Sequence, residues 1–123
     1  MKKLLQNTLL ALLLLSPLQA NIYHVVICWL KEPKNELHKT KLIEATKQLK
    51  TIEGIESIQI GSMLPSKREV VDSSYDMGII FEFKNKEAMK KYASNPLHKK
   101  ALKEVLAPLT SKVIIYDFES IAL

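Results

Sequence analysis

The segment around residue 95 carries two side chains that can perform acid–base or hydrogen-bonding chemistry. Tyr92 precedes the dipeptide Asn95-Pro96, and His98 follows it closely. Proline is unfavourable inside a helix but suits the first helical position, where a preceding asparagine is a good N-cap. The dipeptide therefore predicts a break between two helices, which turns Tyr92 and His98 towards one region.

His98 is the main catalytic candidate, because it is predicted to lie at the third position of the helix that begins at Pro96. Backbone amides at a helix N-terminus present partial positive charge, which disfavours a protonated imidazole. A neutral histidine near pH 7 can act as a general base or as a hydrogen-bond acceptor. We therefore expect His98 to be neutral, with Tyr92 beside it.

Two further polar residues stand at inward positions of predicted strands. His24 alternates with apolar residues near the start of the folded chain, and Asp117 does the same near its end. A carboxylate on a buried face needs a partner, and an imidazole is a suitable one. If the first and last strands are the central pair of one sheet, His24 and Asp117 are neighbours beneath the helices.

The order of elements indicates the fold that positions these residues. The sequence predicts strands at residues 21–30, 55–64, 75–83 and 113–119, a helix at about 36–51, and a helix pair on either side of the Asn-Pro break. This order is the split βαβ arrangement of a ferredoxin-like α+β domain. We expect a four-stranded antiparallel sheet with all helices on one face.

The first and last predicted strands are apolar on both faces, which indicates a partner. An exposed face of an antiparallel sheet normally alternates with polar residues, and the helices can cover one face only. A monomer would leave a large apolar patch, so we expect a second copy packed face to face as a dimeric α+β barrel. The predicted interface residues are Tyr23, Val25, Ile27, Trp29, Ile114, Tyr116 and Phe118.

Three segments resemble the stress-responsive A/B barrel (Dabb) family: "YHVVICWLK", "SYDMGIIFEF" and "YASNPLHKKALKEVLAPLTSKVIIYDFE". The resemblance covers residues 22–119 and implies a dimeric α+β barrel. The family includes the plant olivetolic acid cyclase, which closes a linear polyketide by an aldol step. The resemblance implies that His98 is the catalytic histidine, that Asp117 orients it, and that Tyr92 and His24 line the pocket.

Three functions are compatible with these residues. The first is a ligand-binding or stress-related homodimer that holds a small apolar or aromatic molecule. The second is an enzyme of the polyketide cyclase or aldol type, in which His98 takes a C–H proton next to a carbonyl and Tyr92 or His24 binds the enolate. The third is a structural dimer without ligand. A haem or flavin-free monooxygenase of the related dimeric barrel type is a further alternative.

The N-terminal residues 1–20 predict a cleavable signal peptide. Lys2 and Lys3 precede a leucine-rich run, and Ala20 supplies the small residue at the cleavage site. The apolar run is shorter than the roughly 20 residues that span a bilayer, so we expect no stable membrane insertion after cleavage. The expected location is the bacterial periplasm or the medium, with residues 21–123 as one domain.

Composition argues against several other classes of protein. Residues 21–123 carry 16 Lys and Arg against 13 Asp and Glu, because the leader holds two lysines and no acid. The resulting charge of +3 gives little reason to expect a nucleic-acid partner. The single cysteine, Cys28, cannot form an internal disulfide. No short spacing of ligand residues suggests a metal site, and we expect no cofactor.

Overall fold

The computed structural model describes residues 20–123, which form a sheet covered by helices on one face. The predicted signal peptide lies outside the described residues except for Ala20, so its cleavage stays a prediction. The strands are β1 (Ile22–Leu30), β2 (Ile55–Ser62), β3 (Met77–Phe83) and β4 (Thr110–Glu119). The helices are α1 (Glu36–Gln48), α2 (Lys86–Ser94), α3 (Pro96–Ala101) and the short α4 (Ala107–Leu109). A 3₁₀ turn (Leu49–Thr51) follows α1, and a π-helical segment (Leu102–Leu106) joins α3 to α4.

The predicted ferredoxin-like α+β class is confirmed, with all strand pairs antiparallel and the order β2-β3-β1-β4. The expectation that the first and last strands form the central pair is wrong. The central pair is β3 and β1, and β4 lies at the edge of the sheet beside β1. The two strands are still neighbours, and their register places His24 opposite Asp117.

Asparagine caps determine where the three longer helices begin. In each case the side-chain oxygen accepts a hydrogen bond from a backbone N–H of the first turn, which would otherwise lack a partner. Asn35, Asn85 and Asn95 accept from the N–H groups of His38, Ala88 and Leu97 at 3.1, 2.8 and 2.9 Å. Among residues 20–123, no helix has the length and apolar character needed to cross a membrane.

The core lies between the sheet and the helices. Its buried members on the sheet are Ile22, Val26, Cys28, Leu30, Ile58, Met77, Ile79, Phe81 and Phe83. Burial raises the pKa of the Cys28 thiol to about 11, so this cysteine acts as a small apolar side chain. Tyr75 precedes β3, and its ring lies 6.3 Å from that of Trp29, on the face of the sheet away from the core.

The face of the sheet away from the helices is apolar and uncovered in the single chain. The register pairs Tyr23 with Phe118 and Val25 with Tyr116 on this face. Tyr116 is 59% exposed, and Phe118 is similarly open. Trp29 is more enclosed than the others, because Ser74 accepts a hydrogen bond from its indole at 3.2 Å and the Lys112 ammonium lies 4.6 Å from the ring centroid.

Gly54 is required where the chain turns from the 3₁₀ segment into β2. Its φ is +91°, and a Cβ built there would lie 2.6 Å from the Cβ of Ala88. We expect Gly54→Ala to lower the free energy of unfolding by about 2–4 kcal/mol, through backbone strain and overpacking together. The control is Gly61→Ala, which meets no atom within 4 Å. Urea unfolding measures both, and equal losses in the two variants would contradict the argument.

Candidate functional site

A cavity of about 60 Å³ lies between the sheet and the helices. The floor comes from β1, β3 and β4, and the walls come from α1, α2 and the chain from α3 through the π-helical segment. Its polar lining residues are His24, Thr46, Tyr92 and His98. Its apolar lining residues are Val26, Leu42, Ala45, Leu49, Ile79, Phe81, Ala101, Leu102, Val105, Leu106 and Ile115. The site is therefore an apolar cavity with a few convergent polar groups.

The break at Asn95-Pro96 brings Tyr92 and His98 into contact. The Asn95 N–H donates to the Tyr92 carbonyl at 3.1 Å and closes α2, and Pro96 begins α3. The ring centroids of Tyr92 and His98 lie 4.2 Å apart. The helix break thus places the two candidate side chains side by side on the wall of the cavity.

The tautomer of His98 follows from its backbone contact. Its Nδ1 lies 3.1 Å from the Ala93 carbonyl oxygen, which can only accept, so Nδ1 carries the hydrogen and Nε2 has the free lone pair. Burial lowers the pKa of His98, with repulsion from His24 acting in the same direction and the Ala93 contact opposing them. The direction matches the expectation from sequence, but burial is the leading cause rather than the helix amides.

Tyr92 supplies the complementary hydrogen-bond donor. Its side chain is 4% exposed and packs against Phe81 and Phe83, with centroid separations of 5.3 and 5.0 Å. Burial raises the pKa of the phenol, so the hydroxyl stays protonated at neutral pH. Within residues 20–123 no protein atom forms a hydrogen bond with this hydroxyl. An acceptor on His98 and a donor on Tyr92 therefore stand next to each other.

Asp117 orients a different histidine from the one expected. The His24 Nδ1 donates to Asp117 Oδ1 at 2.5 Å, directly across the β1–β4 pair. The expectation that Asp117 holds His98 is wrong, because the Nδ1 of His98 is engaged by Ala93. Asp117 is also not a buried carboxylate, since 45% of its side chain is exposed at the edge strand. With Nδ1 fixed, His24 is left with Nε2 available to the cavity that it lines.

Several cavity residues were not anticipated from the sequence. Thr46 lines the cavity, and its hydroxyl donates to the Leu42 carbonyl at 2.8 Å within α1. Leu102 and Leu106 line it from the π-helical segment, for which the sequence pattern predicts ordinary helix. The available signal was Pro108, since a proline disrupts the helical turn that precedes it.

No group of three or more His, Cys, Asp or Glu side chains in residues 20–123 is arranged to hold a metal ion. His38, the third histidine, lies outside the cavity lining, with its Nδ1 3.7 Å from a Glu32 carboxylate oxygen. The polar chemistry of the cavity therefore comes from His24, Tyr92 and His98, together with the already bonded Thr46 hydroxyl.

The lowered pKa of His98 predicts a pH-dependent stability. The folded protein binds this proton less readily than the unfolded chain, whose histidine has a pKa of about 6.5. The contribution of His98 to the free energy of unfolding is therefore fully present above about pH 6.5, and it is lost as the pH falls towards the pKa of His98 in the folded protein. Urea unfolding across this range should show a smaller slope in His98→Gln than in the wild type. An unchanged slope would show that His98 is not the group responsible.

Comparisons with known proteins agree with this geometry. The profile of the Stress responsive A/B Barrel Domain (Dabb) matches residues 22–120. A Dabb family protein with a ferredoxin-like fold from Mesorhizobium loti is 26% identical, with a TM-score of 0.69 over 85% of this chain and 100% of that one. A dimeric ferredoxin-like protein of unknown function from Thermobifida fusca is 18% identical, with a TM-score of 0.70 over 86% and 96%.

A hydroxynitrile lyase from Passiflora edulis is 15% identical and has a TM-score of 0.74 over 87% of this chain and 98% of that one. At these low identities, the Passiflora edulis and Thermobifida fusca structures show that the fold is shared. The search among curated proteins found no significant match. The profile match spans β1 to β4 and includes the helix break and the cavity. On this evidence the chain belongs to the stress-responsive A/B barrel (Dabb) family.

Proposed function

We propose that the mature chain, exported as its leader predicts, is a homodimer that binds a small, largely apolar molecule bearing a hydroxyl or carbonyl group. The observation that carries this proposal is a pair of polar groups in an apolar cavity, the Nε2 of His98 and the hydroxyl of Tyr92, neither of which has a hydrogen-bond partner among residues 20–123. Small-molecule sites commonly combine apolar walls with a few polar groups that fix orientation.

The two polar groups define what the ligand must offer. His98 accepts a hydrogen bond from a ligand hydroxyl, and Tyr92 donates one to a hydroxyl or carbonyl oxygen. The cavity of about 60 Å³ is well below the roughly 150 Å³ of an engineered cavity that binds benzene. The ligand is therefore a compact molecule, or a longer one that inserts only its oxygen-bearing end.

Dimerisation is supported by the uncovered sheet face. Glu82 lies on this face, but its carboxylate accepts hydrogen bonds from Asn21, Tyr23 and Ser57 at 2.8, 2.8 and 3.1 Å. The bonds from Asn21 and Tyr23 are the main cause of a lowered pKa of Glu82. A carboxylate with three donors from its own chain needs no partner charge, so it does not oppose burial under a second copy. The Thermobifida fusca relative is described as dimeric.

The second candidate is an enzyme in which His98 is the general base. Its lone pair on Nε2 and its lowered pKa suit the removal of a proton next to a carbonyl, as in an aldol-type closure. Burial raises the pKa of the Tyr92 phenol and keeps its hydroxyl protonated, so this hydroxyl would donate a hydrogen bond to the resulting oxyanion. The hydroxynitrile lyase from Passiflora edulis shows that this fold can carry catalysis.

A purely structural network is the third alternative. It requires that the polar groups satisfy one another within the chain, as His24 and Asp117 do. The Tyr92 hydroxyl and the Nε2 of His98 do not meet this requirement within the described residues. Both groups can therefore bond to a molecule in the cavity that they line, which favours a binding role over a purely structural one.

For the dimer, we expect light scattering on the purified protein at micromolar concentration to give twice the chain mass. Tyr116→Glu should produce monomers, because it places a charge on the apolar face that the second copy would cover. Leu64→Glu is the control, since Leu64 is exposed in the loop after β2. A monomeric wild type, or dissociation by both variants alike, would count against the proposed interface.

For the site, phenol is a suitable probe because its hydroxyl can insert into the cavity as the oxygen-bearing end of a molecule larger than the cavity itself. We expect a ¹H–¹⁵N titration to shift amides around the cavity, and His98→Ala to weaken phenol binding about tenfold through one lost hydrogen bond. His38→Ala is the matched histidine control outside the cavity. Because Asp117 pairs with His24, His98→Ala should change stability by only about 1–2 kcal/mol.

The same variant separates binding from catalysis. If the protein is an enzyme, His98→Ala still binds the substrate, but turnover falls by about 10²–10⁴, as for a lost general base. Equal phenol binding by the wild type and His98→Ala, without any loss of turnover in the variant, would remove His98 from the site.

A further inference from the structure

The wall of the cavity contains a rare helical geometry. Over Leu102–Leu106 the chain is π-helical, and the Ala107 N–H donates to the Leu102 carbonyl five residues earlier. Single π turns within α-helices are uncommon and occur frequently at functional sites. Here three of the five residues, Leu102, Val105 and Leu106, line the cavity.

Pro108 provides the physical cause of this geometry. It has no backbone N–H, and in a continuous α-helix its ring would collide with the carbonyl of Glu104, four residues earlier. The wider π turn avoids this collision. Pro108 then lies in the first turn of α4, where proline is tolerated. The Thr110 hydroxyl donates to the Leu106 carbonyl at 2.6 Å and ties the end of the segment to β4.

The wider turn determines which side chains reach the cavity. Each residue of a helix occupies about 100° of its circumference, so one extra residue in a turn rotates the following side chains. The π turn therefore changes the orientation of the wall relative to α3, and Leu102, Val105 and Leu106 together border a volume of only about 60 Å³.

We propose that Pro108 sets the size limit for ligands of this cavity. It does so as a positioning residue, since Pro108 is itself exposed and outside the cavity lining. This inference rests on the proposed small-molecule site and names the element that determines how large an inserted group can be. It also predicts that replacing Pro108 changes the size limit and leaves the polar pair of His98 and Tyr92 unchanged.

The test compares 2-alkylphenols, from phenol to 2-propylphenol, whose alkyl group lies next to the inserted hydroxyl, by ¹H–¹⁵N titration of the purified protein. The wild type should prefer phenol. Pro108→Ala should shift the preference towards longer alkyl groups, by about fourfold for each methylene that becomes newly buried. Pro65→Ala is the control, because Pro65 is exposed in the loop between β2 and β3 and should leave the preference unchanged.

A second measurement does not depend on a ligand. Pro108→Ala creates a new amide, and hydrogen exchange should show it protected by a bond to the Glu104 carbonyl if the α-helical turn is restored. An unprotected amide together with an unchanged size preference would overturn the proposal.

Leu102→Ala tests the same wall without touching the backbone. Leu102 is 38% exposed and lines the cavity, whereas Leu97, which is 42% exposed, does not line it. Leu102→Ala should admit longer alkylphenols, and Leu97→Ala should not. If Pro108→Ala fails to fold, the comparison of Leu102→Ala with Leu97→Ala decides whether the π-helical wall limits the size of the ligand.

The outcomes separate the two proposals. A wild type that binds phenol, with the same size preference in Pro108→Ala and Leu102→Ala, overturns the inference and leaves the proposed site intact. A wild type that binds none of the alkylphenols overturns both.

Discussion

The candidate site depends on one missing backbone donor, the N–H that Pro96 lacks. On a continuous helix, Tyr92 and His98 would point about 120° apart around the helix axis, because six residues separate them. The Asn95 N–H instead meets the Tyr92 carbonyl, and the Asn95 side chain caps the new helix at Leu97. The N–H groups of Asn95 and Leu97 therefore both have acceptors at the change of direction. The change of direction also brings the ring centroids of Tyr92 and His98 to 4.2 Å.

Burial then gives the two side chains complementary roles. Loss of hydration disfavours the charged form of each group, so it lowers the pKa of His98 and raises that of Tyr92. At neutral pH both are uncharged, and within the described part of the chain His98 keeps an open lone pair and Tyr92 an open O–H. The same apolar walls that make the cavity suitable for an apolar ligand thus also set the protonation states.

Much of this arrangement could be predicted from local sequence signals. Strand periodicity, the capping asparagines and the proline at the start of α3 each act within a few residues, so they determine local structure with little help from the rest of the fold. The residues at the start of β4 were missed because Ser111 and Lys112 are polar and exposed at the sheet edge. Their strand conformation comes from pairing with β1.

The partner of Asp117 could not be determined in the same way. The sequence indicated that an imidazole should meet this carboxylate, but His24 and His98 were both available. The choice depends on the order of strands, on a backbone carbonyl at Ala93 that engages His98, and on the position of β4 at the edge. These are long-range properties, and the exposure of Asp117 follows from the last of them.

The edge position of β4 also links the site to the proposed assembly. Consecutive residues of this strand face opposite ways: Asp117 pairs with His24 on the cavity side, and Phe118 stacks on Tyr23 on the open side, with ring centroids 5.2 Å apart. An edge strand is held by one neighbour only, so its position is less constrained than that of β1 or β3. A second copy packed over Phe118 would restrict the same backbone that carries Asp117. The dimer proposed here would therefore hold His24 in place from the opposite face of the sheet.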